Sequence, residues 1–134
     1  MADIEAVEGI GPVYADKLRA AGVTTVEELL TKGATPKGRE EIAQQTEITG
    51  KLILRWVNMA DLFRIKGVGE EYADLLEAAG VDTVPELAHR RAANLAAKMA
   101  KVNEAKNLTR QVPSEAQVAD WVAQAKALPR IVTY

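Results

Sequence analysis

The chain has 134 residues, 48% of them apolar but only 4% aromatic, with a formal net charge of −2 and no cysteine. That length supports one domain or two small, mutually supporting ones, and without cysteine there is neither a disulfide framework nor thiolate chemistry. No apolar run approaches the ~18 residues that cross a bilayer, and the opening MADIEAVEG lacks the basic and apolar stretches of a signal peptide, so a cytoplasmic chain with no membrane partner is expected.

In chain order, a short leading helix is expected near Ile4–Val7, running into Gly9-Ile10-Gly11. Pro12 then stands at a helix start, where its missing amide costs nothing, and the helix over 13–21 stops at Gly22. Thr25 caps the next helix with Glu28 three residues on, the spacing of a reciprocal cap. A further helix is expected over 38–45, then one introduced by Thr49-Gly50-Lys51 that carries Trp56. From residue 65 the pattern begins again. Gly67-Val68-Gly69 leads into a helix over 70–79 that stops at Gly80, and Thr83 with Glu86 caps the next. A longer helix follows over 92–107, and Ser114 with Gln117 caps the one that carries Trp121. Only Ile131–Tyr134 has the composition of a strand.

Two segments, 7–30 and 65–88, align without a gap at an offset of 58 and are identical at 14 of 24 positions. An internal repeat of this length governs the architecture. The expected fold is all-α, two units at 1–61 and 62–128 related by internal duplication, with a tail at 129–134. Gly9-Ile10-Gly11-Pro12 with Ala15, Leu18 and Gly22 resembles the helix-hairpin-helix motif, and Gly67-Val68-Gly69 with Ala73, Leu76 and Gly80 repeats it. The stretch Ala21–Leu30 also looks like the matching part of the C-terminal domain of the RNA polymerase alpha subunit. As a whole, the tandem arrangement is similar to the bacterial family catalogued as domain of unknown function 4332. The resemblance implies a SAM-like helix-hairpin-helix bundle and makes the nucleic-acid backbone, DNA or RNA, the first partner to consider.

The chemistry behind that expectation is specific. Glycines let a phosphate approach the chain closely, and the amides of Ile10, Gly11 and Val13, or Val68, Gly69 and Glu70, stand at the positive end of a helix. Such contacts ignore base identity. In some members of the wider hairpin class that this motif resembles, the carbonyls of the loop hold a monovalent cation, an alternative the sequence leaves open.

Charge is unevenly spread. Residues 1–31 carry −4, 32–66 carry +3, 67–88 carry −6 with no base at all, and 89–110 carry +5. Phosphate affinity comes mostly from lysine and arginine, so Glu70, Glu71, Asp74 and Glu77 make the second hairpin a poor phosphate site. The first, with Lys17 and Arg19 against Glu8 and Asp16, is better. Arg90, Arg91, Lys98 and Lys101 form the stronger basic surface, although lysines opposite Leu95, Met99 and Val102 are also what an ordinary solvated helix face contains.

The remaining residues have plain structural readings beside functional ones. Tyr14 and Tyr72 could stack on a base or pack between helices, and packing is the commoner role for a repeated tyrosine. Trp56 and Trp121 read as core anchors. His89, the only histidine, has no companion for a metal site, and the repeated Asp16 and Asp74 suit backbone bonding. Gly33–Arg39 lacks the Gly-Lys-Ser/Thr of a phosphate-binding loop and reads as a linker in which Lys37 and Arg39 could touch phosphate. No catalytic constellation, cofactor or metal site is expected. Two readings stay open: a non-enzymatic module binding nucleic-acid backbone, sequence-nonspecifically, through Gly9, Ile10, Gly11, Lys17, Arg90, Arg91, Lys98 and Lys101, or a protein-interaction adaptor. In the second, Glu70, Glu71, Asp74 and Glu77 dock a basic partner, or the opposite charges drive self-association.

Overall fold

The computed structural model describes residues 2–134, and it is all-α. A 3-10 turn at Ile4–Ala6 precedes α1 (Pro12–Ala20), α2 (Val26–Lys32), α3 (Pro36–Thr46), α4 (Gly50–Leu62), α5 (Glu70–Ala78), α6 (Val84–Ala88), α7 (Ala92–Lys106) and α8 (Glu115–Ala127). Among the described residues the only extended pairing is one isolated bridge between Asp3 and Thr25. The chain divides into two compact units. The first holds the residues up to Asp61 together with Arg130–Tyr134, and the second holds Leu62–Pro129.

In the first unit, α3 packs on α1 and α2. Ala15 and Leu18, one helical turn apart on α1, are fully buried, as are Ile4, Val23, Leu29, Ile53 and Val57. Burial of a side chain of this size stabilises by about 1.5–3 kcal/mol. The end of α1 is closed by the Gly22 amide on the Arg19 carbonyl (3.0 Å) and the Val23 amide on the Leu18 carbonyl (2.9 Å), the pairing that satisfies the last carbonyls of a helix. Thr25 then starts α2 with both halves of its reciprocal cap in place.

Helix α3 begins two residues earlier than its apolar pattern suggests. Thr35 accepts from the Gly38 amide and Pro36 takes the first position, so Lys37 and Arg39 lie on a helix and not in a linker. Arg39 is only 7% exposed. It donates to the carbonyls of Gly33 (2.8 Å) and Thr133 (2.7 Å), which removes it from any contact with phosphate. The tail forms no strand; the Thr133 amide donates to the Ala34 carbonyl at 2.7 Å and Val132 is buried.

In the second unit, α8 packs on α6 and α7, and α5 on α7. The preceding helix, α4, ends at Leu62, and the Ile65 amide folds back on the Leu62 carbonyl (3.1 Å) to begin a turn. Gly80 and Val81 close α5 with bonds of 3.0 and 2.8 Å, matching those of Gly22 and Val23. The buried face of α7 is Leu95, Met99 and Asn103, with Val102 only half-buried. Asn103 replaces the expected valine because its amide group closes the following loop, donating to the Thr109 carbonyl (3.1 Å) and accepting from the Thr109 amide (2.9 Å). A buried polar side chain bonded on both ends carries little desolvation cost.

The Thr24 hydroxyl above all, with the Thr24 amide and Thr25, holds the Glu28 carboxyl below its usual 4.5. A lowered carboxylate stabilises the fold above its unfolded value, and that contribution disappears as pH falls through the folded one. Glu28→Gln is therefore expected to lower the melting temperature at pH 7, with the gap to the native chain narrowing below pH ~4.5. Thermal melts across that range check it, and a gap independent of pH would contradict it.

Candidate functional site

The two glycine turns are built in the same way. Gly9 and Gly67 have φ of +93° and +95°, a backbone region that side chains with a Cβ enter only under strain. Each turn lies against an indole. A Cβ on Gly9 would sit 3.3 Å from Trp56 Nε1, and one on Gly67 would sit 3.0 Å from Trp121 Nε1. Both tryptophans are almost wholly buried. Tyr14 packs on Trp56 with ring centroids 5.1 Å apart, and Tyr72 on Trp121 at 5.2 Å. The tyrosines are therefore packed in the manner of tilted aromatic pairs, and the Tyr72 hydroxyl also donates to the Gln111 carbonyl (3.2 Å). Trp56 Nε1 is buried without a hydrogen-bond partner.

The positive φ also turns the middle residue inward. Ile10 and Val68 are buried, at 4% and 6% exposure, and their amides donate to the carbonyls of Val7 and Ile65, both at 3.1 Å. Neither amide faces outward, contrary to the expectation that both would meet a phosphate. The donors left at the mouth of α1 are those of Gly11 and of its first turn, because a helix start has no intrahelical acceptors for its first amides. Gly11 and Gly69 stand at the N-cap in extended conformation and provide no side-chain cap.

Electrostatics separates the two turns. The first turn of α1 has no acidic residue, whereas that of α5 has Glu70 and Glu71; one turn further, Asp16 and Asp74 stand at the same place in both. Partial burial raises the Asp82 carboxyl above its usual value, and neighbouring Glu86 and Glu77 raise it further. Carboxylates are crowded in the second unit, and an anion at Gly67-Val68-Gly69 would meet that field.

The sequence-predicted cations are placed unevenly. Lys17 is exposed but lies six residues past Gly11, about 9 Å along the helix axis. Arg19 bonds Asp3 and Glu5 at 3.0 Å and Asp16 at 3.3 Å, so it is held among carboxylates. Arg90 donates to Glu86 (3.2 Å) and to the Gly80 carbonyl (3.0 Å). Lys98 Nζ would lie 3.6 Å from a Cβ on Gly80. Arg90 and Lys98 thus stand at the C-terminal end of α5, opposite its glycine turn and about 13 Å from it for a nine-residue helix. Arg91 and Lys101 are exposed. The basic surface of α7 and the turn of its own unit are separate features.

Sequence reasoning missed one member of the set. Lys32 Nζ bonds the Gly22 carbonyl at 2.7 Å, as Arg90 bonds that of Gly80, and 32 and 90 are related by the same offset of 58. Extending the repeat two residues past Leu30 and Ala88 would have exposed the pair. Each cation satisfies a carbonyl at the negative end of a helix.

The family model described as "Domain of unknown function (DUF4332)" matches residues 8–128. The chain belongs to that family. It is also similar to the DNA repair and recombination protein RadA of Methanocorpusculum labreanum, 46% identical over 61 residues, a match covering 45% of this chain. The matched part spans only 18% of the length of that relative. No solved structure matches. Among the described residues no helix is long and apolar enough to cross a membrane.

Gly9 and Gly11 predict opposite outcomes on substitution. Gly9→Ala forces a Cβ into a positive φ and against Trp56, at an expected cost of about 1–3 kcal/mol. Gly11→Ala meets nothing within 4 Å and has φ −84°, so its stability is expected to stay within about 0.5 kcal/mol of the native value. Chemical denaturation of the two variants measures the difference, and equal losses would contradict this account of the turn.

Proposed function

We propose that this protein is a non-enzymatic binding module, a tandem helix-hairpin-helix duplication that holds nucleic-acid backbone without regard to sequence. The observation that carries the reading is the start of α1, where Gly11 leaves the first amides uncapped and no carboxylate stands in the first turn. Oriented amides at a helix start hold phosphate well, and Lys17 adds a positive charge on the same helix. The exposed Arg91, Lys98 and Lys101 of the α7 region provide the salt-sensitive attraction to a polyanion. The similarity to a DNA repair and recombination protein favours the same partner. The second glycine turn, with Glu70 and Glu71 in the first turn of its helix, contributes no phosphate contact in this reading.

That same acidity favours a second reading. Glu70, Glu71, Asp74 and Glu77 suit a basic protein partner, with the hairpins as scaffold, and reversal of Glu70, Glu71 and Asp74 to lysine would abolish capture of such a partner.

Fluorescence anisotropy with labelled DNA and RNA oligonucleotides tests the main reading. Binding is expected at ~50 mM salt and is expected to fall steeply by ~200 mM. Lys98→Glu with Lys101→Glu should abolish it, and Gly11→Ala should weaken it while leaving the melting temperature unchanged. No binding at low salt would overturn the reading, and binding indifferent to the lysine pair would remove α7 from it.

A further inference from the structure

Five residues far along the chain, Arg130–Tyr134, complete the first unit, and the way they are held has the character of ligand recognition. Thr133 is read through its main chain on both sides. Its amide donates to the Ala34 carbonyl at 2.7 Å, and its carbonyl accepts from Arg39 Nη2 at 2.7 Å. Extended peptides are bound in this way, by main-chain bonds that give affinity and alternate side chains that give specificity. Here Val132 is the buried anchor, 3% exposed. Tyr134 follows two residues later and is itself 63% exposed; it is held at the rim, its ring 5.7 Å from the Arg39 guanidinium and its hydroxyl donating to Asn58 Oδ1 at 2.9 Å. Between them the Thr133 side chain is exposed and contributes only a 3.3 Å bond to the Ala34 carbonyl.

Part of the receptor side is held by a bond that does not involve the segment. Arg39 is fixed by its second bond, Nη1 to the Gly33 carbonyl at 2.8 Å. A buried guanidinium presents a rigid fork of donors that lysine does not reproduce. If the segment left, that cation would keep one bonded arm and present the other to whatever replaced it.

We propose that the first unit carries a peptide-binding groove, centred on Arg39, whose ligand is an extended Val-x-Tyr segment, and that a second copy of this chain can supply it. The segment fills the groove of its own chain at low concentration, where the intramolecular effective concentration favours it. At high concentration the same segment exchanges between copies. The bonds described here that seat it are made by Thr133 and Tyr134, so a second copy can make the same contacts as those made in place, which is the condition for exchange of an element between protomers.

A fluorescent peptide of residues 128–134 is titrated into the full chain carrying Val132→Asp, whose own segment cannot seat. Saturable binding is expected, weakened about tenfold or more when the peptide carries the same aspartate, because the anchor is then a charge taken out of water. Chains carrying Val132→Asp and chains carrying Arg39→Lys are each expected to be monomeric alone. Mixed, they are expected to form a one-to-one pair by light scattering, the first supplying the groove and the second the segment. Absence of peptide binding to a variant of native helicity overturns the groove, and a mixture that stays monomeric overturns the second copy as occupant. Should Val132→Asp lose helicity, hydrogen exchange on the native chain decides. Excess peptide is expected to speed exchange of the Thr133 amide, and an unchanged rate overturns the proposal.

Discussion

An indole beneath a glycine is the contact on which each unit turns. A backbone with φ near +95° is tolerable only without a Cβ, and the absent Cβ is also what lets Trp56 or Trp121 approach within 3.3 or 3.0 Å of its position. From this one contact the rest follows. The middle residue of the turn is directed inward, its amide closes on the chain three residues back, and only the next glycine stays at the surface as the helix start. The tyrosine one turn into the helix then covers the remaining face of the indole. Each tyrosine ring thus supports a turn, Tyr14 with about a third of its surface still exposed.

Much of this was legible in the sequence. Helix starts were marked by Thr25, Thr83 and Ser114, whose hydroxyls bond the amide three residues on, because a short polar side chain at that place has few competing uses. Glycines 22 and 80 marked the stops for a similar reason. The start of α3 was written in Thr35-Pro36, yet the surrounding Gly33 and Gly38 suggested a linker. The fate of Arg39 could not be read at all, since its partner lies 94 residues away. In the candidate site, the glycines were readable as a turn, but not which amides face outward. That depends on the burial of Ile10 and Val68, a tertiary property that overrides the local pattern. Helix polarity placed Arg90 and Lys98 at the far end of α5, a fact that charge counts along the chain conceal.

The two glycine turns share a backbone and differ in their side chains. Matching glycines, tryptophans and tyrosines preserve the turn, while substitution of Pro12-Val13 by Glu70-Glu71 at the same offset changes the sign of the field at its mouth. The helix dipole is equivalent to about half a unit charge and cannot outweigh two adjacent carboxylates. In contrast, Lys32 and Arg90 differ chemically and perform the same bond.

The discontinuous composition of the first unit has a bearing on how the chain is made. During synthesis the segment up to Asp61 emerges long before Arg130–Tyr134, and all of Leu62–Pro129 must be produced in between. Domains generally fold as they leave the ribosome, the N-terminal part first. Here the nascent first unit must wait while Leu62–Pro129 is made, with Arg39 lacking its Thr133 acceptor and the seat of Val132 uncovered. Its maturation is thus tied to completion of its neighbour, an order imposed by connectivity and not by the strength of either core.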